Sequence, residues 1–262
     1  MRAVTITKQG EPVADNVRVA DDWPEPTAAP GWLIVRTEAS GLNHLDLFVG
    51  KGVPGVELTY PRVSGADACG RVESVGEGVD PAWIGRRVVL NGAVPQPYDI
   101  HPDVVPAAPA RRMIGEHEPG THAERFTAPA TNVLDVGDVD PEAAAAFGLS
   151  HLTAWRMLVS RAGLGAGQTV LITGTSGGTA QALLNIARLF GCTTIVTSRR
   201  RHHLDQAIGL GADHGVLDTG EDWSREVRRL TGKRGVDICA DSVGKAIHQS
   251  CIKSLARGGT VV

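Results

Sequence analysis

The most constraining feature of this chain is an apolar, β-branched run, Thr169-Val-Leu-Ile-Thr173, that enters Gly174-Thr-Ser-Gly-Gly-Thr-Ala180 and leaves it with helical spacing. Ala180, Leu183, Leu184, Ala187 and Leu189 or Phe190 fall on one side of a helix over 178–190. The alternation then repeats, with strands expected at 193–197, 215–218, 235–240 and 259–262. Helices are expected between them at 203–210, 223–231 and 245–255. Parallel neighbours need a crossover segment, and strand–helix alternation supplies one each time, so this half predicts an α/β, doubly wound parallel sheet of five strands. The sixth strand that such a sheet usually carries is not there, because the chain stops at Val262.

Before residue 135 the pattern differs. Short runs at 2–7, 32–38, 70–75, 87–90 and 121–127 alternate with period two or are bounded by Gly and Pro, which predicts a barrel-like β module. The stretch 91–119, rich in Pro and Ala, reads as a loop. Helical composition begins with Asp140 as N-cap and Pro141 in the first turn, over 141–147 and again over 152–158. Two domains follow, 1–135 and 136–262. An apolar share of 42% supports real cores, and no apolar run approaches the ~20 residues of a membrane span or forms a signal peptide. A soluble, cytoplasmic protein without a membrane partner is expected. Cys69, Cys192, Cys239 and Cys251 form no Cys-x-x-Cys pair, so each is expected as a small buried residue. Residues 1–140 carry net −8 and residues 141–262 net +5; the second excess suits an anionic ligand and is too small for nucleic acid.

Gly174, Gly177 and Ala180 occupy the three positions of a dinucleotide fingerprint. The first permits a tight turn, the second lets a pyrophosphate approach the helix N–H groups, and the third lets helix and strand pack closely. The same residues spell Gly-x-Ser-x-Gly around Ser176, a nucleophile elbow that would need His248 with Asp218 or Asp237. That hydrolase reading lacks the upstream sheet strands and the oxyanion loop. At the end of the second strand, Thr197-Ser-Arg-Arg-Arg201 contains no acid to hold a ribose 2′-hydroxyl. Ser198, Arg199 and Arg200 suit a 2′-phosphate, which points to NADPH over NADH.

Beyond these local motifs, the chain resembles the medium-chain dehydrogenase/reductase superfamily, in its zinc-independent quinone oxidoreductase branch. The resemblance rests on Ala39-Ser-Gly-Leu-Asn-His-Leu-Asp-Leu47, Gly65-Ala-Asp-Ala-Cys-Gly70 with its continuation to Val79, Gly85-Arg-Arg-Val88, Gly120-Thr-His-Ala-Glu124, Thr153-Ala-Trp155, Gly211-Ala-Asp213 and Gly235-Val-Asp237. It implies a chaperonin-10-like catalytic domain with a Rossmann domain. Cofactor contacts are implied at Asn43, Thr153, Gly174, Ser176, Gly177, Gly178, Thr179, Ser198, Arg199, Arg200 and Ser242. The zinc ligands of related alcohol dehydrogenases would fall on Asn43, Ala66 and near Leu149, none of them a Cys, His or carboxylate, and the four-cysteine lobe is missing. His44 and His122 are expected as ordinary polar residues. Without a Lewis acid, conjugated acceptors are the easier substrates, because their charge spreads into an enolate or phenolate.

The implied catalytic residues are Asn43, as hydrogen-bond donor beside the nicotinamide, and Asp46, for which orienting a neighbour is favoured over proton transfer. Phe48 stands where this branch often has Tyr, removing one hydroxyl. A short-chain dehydrogenase is excluded, since Tyr60 and Tyr98 are followed four residues later by Ser64 and Pro102 rather than Lys. The expectation is therefore a zinc-independent oxidoreductase passing hydride from NADPH to a quinone or enone. An NADPH-binding protein without turnover and a zinc-free alcohol dehydrogenase stay open. Because the resemblance implies a longer chain, a fragment is expected, with a homodimer for the full-length form.

Overall fold

The computed structural model of the chain describes residues 1–94 and 112–262. They divide into two compact units, Met1–Leu149 and Ser150–Val262.

The first unit opens with β1 (Ala3–Ile6) and β2 (Val17–Ala20), followed by β3 (Trp32–Gly41) and the helix α1 (His44–Lys51). Next come β4 (Arg62–Val63), β5 (Asp67–Val75), β6 (Arg87–Leu90), β7 (Ala93–Val94), β8 (Arg112–Met113), β9 (Arg125–Pro129) and β10 (Val133–Asp135). A five-stranded antiparallel sheet has the order β10-β6-β5-β3-β9, beside a three-stranded sheet β2-β1-β4 and the pair β7-β8. Alternation on β3 decides its faces: Leu33 and Val35 are fully buried with Val72, Val88, Leu90 and Phe126, while Arg36 is exposed. The β3–β5 register shifts between Ile34 and Val35 and again between Thr37 and Ala39, and it ends with Gly41 opposite Asp67. These irregularities bend the strand, so that its last residues and α1 start beside the first residue of β5.

The helix α2 (Pro141–Trp155) runs across the boundary between the units. Asp140 Oδ1 accepts the Ala143 N–H at 2.9 Å, the N-cap bond expected from Asp-Pro. In the second unit follow β11 (Thr169–Thr173), α3 (Gly178–Leu189), β12 (Thr193–Ser198), α4 (Arg201–Gly209), β13 (His214–Leu217), α5 (Ser224–Leu230), β14 (Val236–Ala240), α6 (His248–Ser254) and β15 (Leu255–Val261). The five strands are parallel, in the order β13-β12-β11-β14-β15. This is the Rossmann arrangement expected, and the first unit is a GroES-like domain. Val170 and Ile172 pack with Ala180, Leu183, Leu184 and Ala187 of α3, while Leu171 points to the other face, among Ile195, Val216, Val227 and Cys251. A central strand covered on both faces needs a continuous apolar run, which is what 169–173 provides.

Several expected boundaries are corrected. The stretches 141–147 and 152–158 form one helix up to Trp155, continued by a π-helical turn, Arg156–Arg161. The strand expected at 121–127 begins only at Arg125, because Thr121 and His122 are spent donating their N–H groups to Gly65 and Ser64. The loop at 91–119 contains β7 and β8, two-residue strands too short to show a period; residues 95–111 of it lie outside the described part. The helix expected at 245–255 is reduced to α6, and the last strand starts earlier, at Leu255. β2, β4, β10 and α1 were not anticipated.

Leu171 is the residue whose loss should weaken the second unit most simply. Leu171→Ala is expected to cost about 2–5 kcal/mol by leaving a cavity under β11, measured as a lower denaturant midpoint with an unchanged slope.

Candidate cofactor cradle and donor site

β11 delivers the chain to Gly174, whose φ of +71° makes the tight turn an L side chain would strain. A Cβ there would also sit 3.1 Å from Val243 Cγ2 and 3.3 Å from Ser242 Oγ. Gly177 is the N-cap of α3 and no side chain caps that end, so the first-turn N–H groups that include Gly178 and Thr179 have no side-chain acceptor among the described residues. A Cβ on Gly177 would meet nothing within 4 Å, and Thr175 Oγ1 is buried without a hydrogen-bond partner among the described residues. Open space before a bare helix end, with an unanswered hydroxyl beside it, fits the pyrophosphate of a dinucleotide. Ala180, 3% exposed, provides the close helix–strand contact.

A cavity of about 940 Å³ opens from this turn, lined by Gly174, Ser176, Ser198, Arg199 and Arg200 among the residues singled out from sequence, and also by His203 and Lys245. Ser198 Oγ accepts the Arg200 N–H at 3.2 Å, which draws the start of α4 onto the end of β12. The acids of this cavity, Asp218, Glu221 and Asp222, come from the segment after β13. Asp222 is committed elsewhere: the Ser224 hydroxyl and Lys253 Nζ, the latter at 2.9 Å, hold its carboxyl down at about 2. Thr153 does not reach this cavity. It lines another, of about 370 Å³, with Arg156, Met157 and Arg161.

Ser242 is occupied at the end of β11, its N–H donating to Thr173 Oγ1 and its hydroxyl to Thr173 O, both at 3.1 Å. Behind it stands Asp241, which sequence reading missed. Its Oδ1 accepts from Thr173 Oγ1 at 2.9 Å and from the N–H groups of Val243 and Gly244 at 2.9 and 3.1 Å. Asp241 thereby ties the loop after β14 to the strand that carries the glycine-rich turn.

In the first unit, Asn43 is the N-cap of α1. Its N–H donates to Asp46 Oδ2 at 2.8 Å and its backbone carbonyl accepts the Asp46 N–H at 3.1 Å, in the arrangement of a capping box. Asn43 Nδ2 donates to Asp67 Oδ2 at 2.9 Å, and Asp67 Oδ1 accepts the Leu149 N–H at 2.6 Å. Asp67 is only 2% exposed. Burial pushes its carboxyl above the usual range, against the opposing pull of the Asn43 and Leu149 donors. Gly148 permits this arrangement, since a Cβ there would lie 2.4 Å from Asp67 Oδ1.

Asp46 faces His122 Nε2 across 3.4 Å, a loose contact in which neither atom has a better partner among the described residues. His122 Nδ1 lies 2.7 Å from Ser40 Oγ, which with Thr121 Oγ1 reaches the Asp67 carbonyl at 3.0 Å. Burial alone would raise the Asp46 carboxyl, but His122 and the N–H groups of Asn43 and Gly65 outweigh it and hold it below the usual range. His122, expected as an ordinary polar residue, is part of this network; Asp46 both caps α1 and contacts it.

Zinc does not fit the three positions where the related enzymes hold it. Asn43 is engaged with Asp67, Ala66 offers a methyl, and Leu149 supplies only a backbone N–H. Among the described residues no three His, Cys, Asp or Glu side chains gather as a metal site. Nor does a hydrogen bond join Ser176 to His248 there: His248 Nδ1 lies 3.9 Å from Asp241, Asp237 is taken by Arg234 and the Thr169 N–H, and Asp218 by the Gly220 N–H.

Comparison with known proteins agrees with this division. The alcohol dehydrogenase GroES-like domain matches residues 29–138, and the zinc-binding dehydrogenase family matches residues 178–262. The chain is 29% identical over 231 residues to a phenolphthiocerol/phthiocerol polyketide synthase of Mycobacterium tuberculosis, a match that takes in 87% of this chain and only 9% of the synthase. It is 26% identical to the quinone oxidoreductase of Rattus norvegicus, covering all of this chain and 72% of that one, and 29% identical to a 2-haloacrylate reductase of a Burkholderia species, covering 98% and 71%. The solved structure of an NAD-dependent alcohol dehydrogenase superposes with a TM-score of 0.92 at 38% identity, over all of this chain and 76% of that one. A mycobacterial protein complexed with NADPH superposes at 0.82 with 32% identity, over all of this chain and 73% of that one. With the GroES-like sheet, the five-stranded Rossmann sheet and these matches together, the chain belongs to the medium-chain dehydrogenase/reductase superfamily, among its quinone oxidoreductase-like members.

Proposed function

We propose that this chain carries a zinc-independent reductase activity that uses NADPH to reduce a quinone or an activated alkene. The observation that carries the reading is the glycine-rich turn of the second unit: Gly174 and Ser176 line a cavity together with Ser198, Arg199 and Arg200, and the helix that follows the turn has a bare N-terminus at Gly177. The first-turn N–H groups of α3 would hold the pyrophosphate, and the two guanidinium groups with the Ser198 hydroxyl would hold the 2′-phosphate. When bound, the nicotinamide supplies two electrons as hydride. The family resemblance gives Asn43 the part of offering an N–H to the oxygen on which charge develops, which conjugation would make a weak base. The similarity to a structure complexed with NADPH and to a 2-haloacrylate reductase supports this reading.

Steady-state oxidation of NADPH, with benzoquinone and with a simple enone, tests it. Turnover with NADPH favoured over NADH is expected; NADPH binding without turnover by the full-length protein would overturn the enzymatic reading. Replacing Arg199 and Arg200 by Ala should erase a preference of roughly tenfold to a hundredfold, read as the ratio of kcat/KM for the two cofactors. Asn43→Ala should lower kcat by about 10²–10³, a larger effect than any rise in the dissociation constant for NADPH.

A further inference from the structure

Asp67 is the most deeply buried carboxylate of the first unit among the described residues, and the reduction proposed above does not use it directly. It is 2% exposed, both of its oxygens accept hydrogen bonds, and a glycine is required beside it. A carboxylate so enclosed would ordinarily be replaced by an apolar residue unless it does something an apolar residue cannot. What it touches is the side-chain amide of Asn43.

A primary amide has two N–H donors and one acceptor oxygen, and by itself it can present either end. Here the capping-box arrangement turns the oxygen towards the first turn of α1, and Asp67 Oδ2 takes one N–H at 2.9 Å; as a carboxylate it can only accept. An exchanged amide would set oxygen against oxygen at Asp67. The second N–H of Asn43 then has no acceptor among the described residues.

We propose that Asp67 is a positioning residue that makes Asn43 a one-handed hydrogen-bond donor towards the oxygen of the substrate. The inference rests on the reading of Asn43 as that donor. It also bears on the substrate class: a donor at Asn43 serves a reacting oxygen that accepts, a carbonyl becoming enolate or phenolate.

The test combines kinetics with nuclear magnetic resonance of Asn-labelled protein. In the free wild-type protein, one Asn43 Nδ2 proton should exchange slowly and the other at an ordinary rate; two equally fast protons would overturn the lock whether or not the protein turns over. Asp67→Asn should lower kcat by up to about a hundredfold, with the dissociation constant for NADPH, from fluorescence titration, unchanged. The exchange variant, Asn43→Asp with Asp67→Asn, restores a hydrogen bond between the two positions with reversed polarity. It is expected to recover thermal stability while kcat stays low. Recovery of kcat in the exchange variant, or wild-type kcat in Asp67→Asn, would overturn the proposal. If Asn43→Ala itself turns over like wild type, the donor reading has failed and the resonance data alone report on the lock.

Discussion

Much of the polar architecture of the first unit is arranged around the enclosed Asp67 carboxyl. An ionised carboxyl loses several kcal/mol of hydration when water is removed, and only well-placed donors offset it. The surrounding architecture can be understood as the supply of those donors. β3 bends at its register shifts so that Gly41 lies opposite Asp67, α1 starts two residues later with Asn43 as its cap, and α2 brings the Leu149 N–H from 82 residues away. Ser40 and Thr121 meanwhile hold the Asp67 carbonyl from the other side of its backbone.

The second unit handles its polar groups in the opposite sense. At the end of β11 it leaves groups unanswered: the first turn of α3 is uncapped and Thr175 Oγ1 is buried without a partner among the described residues. What keeps that turn in place is the Asp241 carboxylate, which spends itself on Thr173 and on the loop after β14. One unit is built around an acceptor that must be satisfied, the other around donors that wait for an anion.

Much of the second unit was legible in the sequence because its signals are local and strong. The run 169–173 reproduces β11 residue for residue, and α3 and β12 differ from expectation by one residue each, since both faces of the central strands are buried and the helix carries a clean apolar stripe. The cradle was legible for the same reason. In the first unit the signal fades: β4, β7 and β8 are two residues long, and α1 exposes Leu47 and Phe48, so neither period is visible. Asn43 and Asp46 were found through family likeness. Asp67 was not, although it stands in the quoted Gly65-Ala-Asp motif, because its partners lie 24 and 82 positions away and nothing local marks it. Gly148 went unremarked inside a helical stretch, where the nearby Asp67 carboxylate and the Leu90 carbonyl explain it.

That glycine carries a consequence for how such a site can change over generations. A side chain at position 148 would meet the carboxylate at 67 at 2.4 Å and the Leu90 carbonyl at 2.9 Å. Shortening residue 67 alone would therefore not make room for a side chain at 148; the end of β6 that carries Leu90 would have to move as well. Change at this position is barred twice, by a side-chain oxygen and by a main-chain oxygen, 2.4 and 2.9 Å from where a methyl group would be.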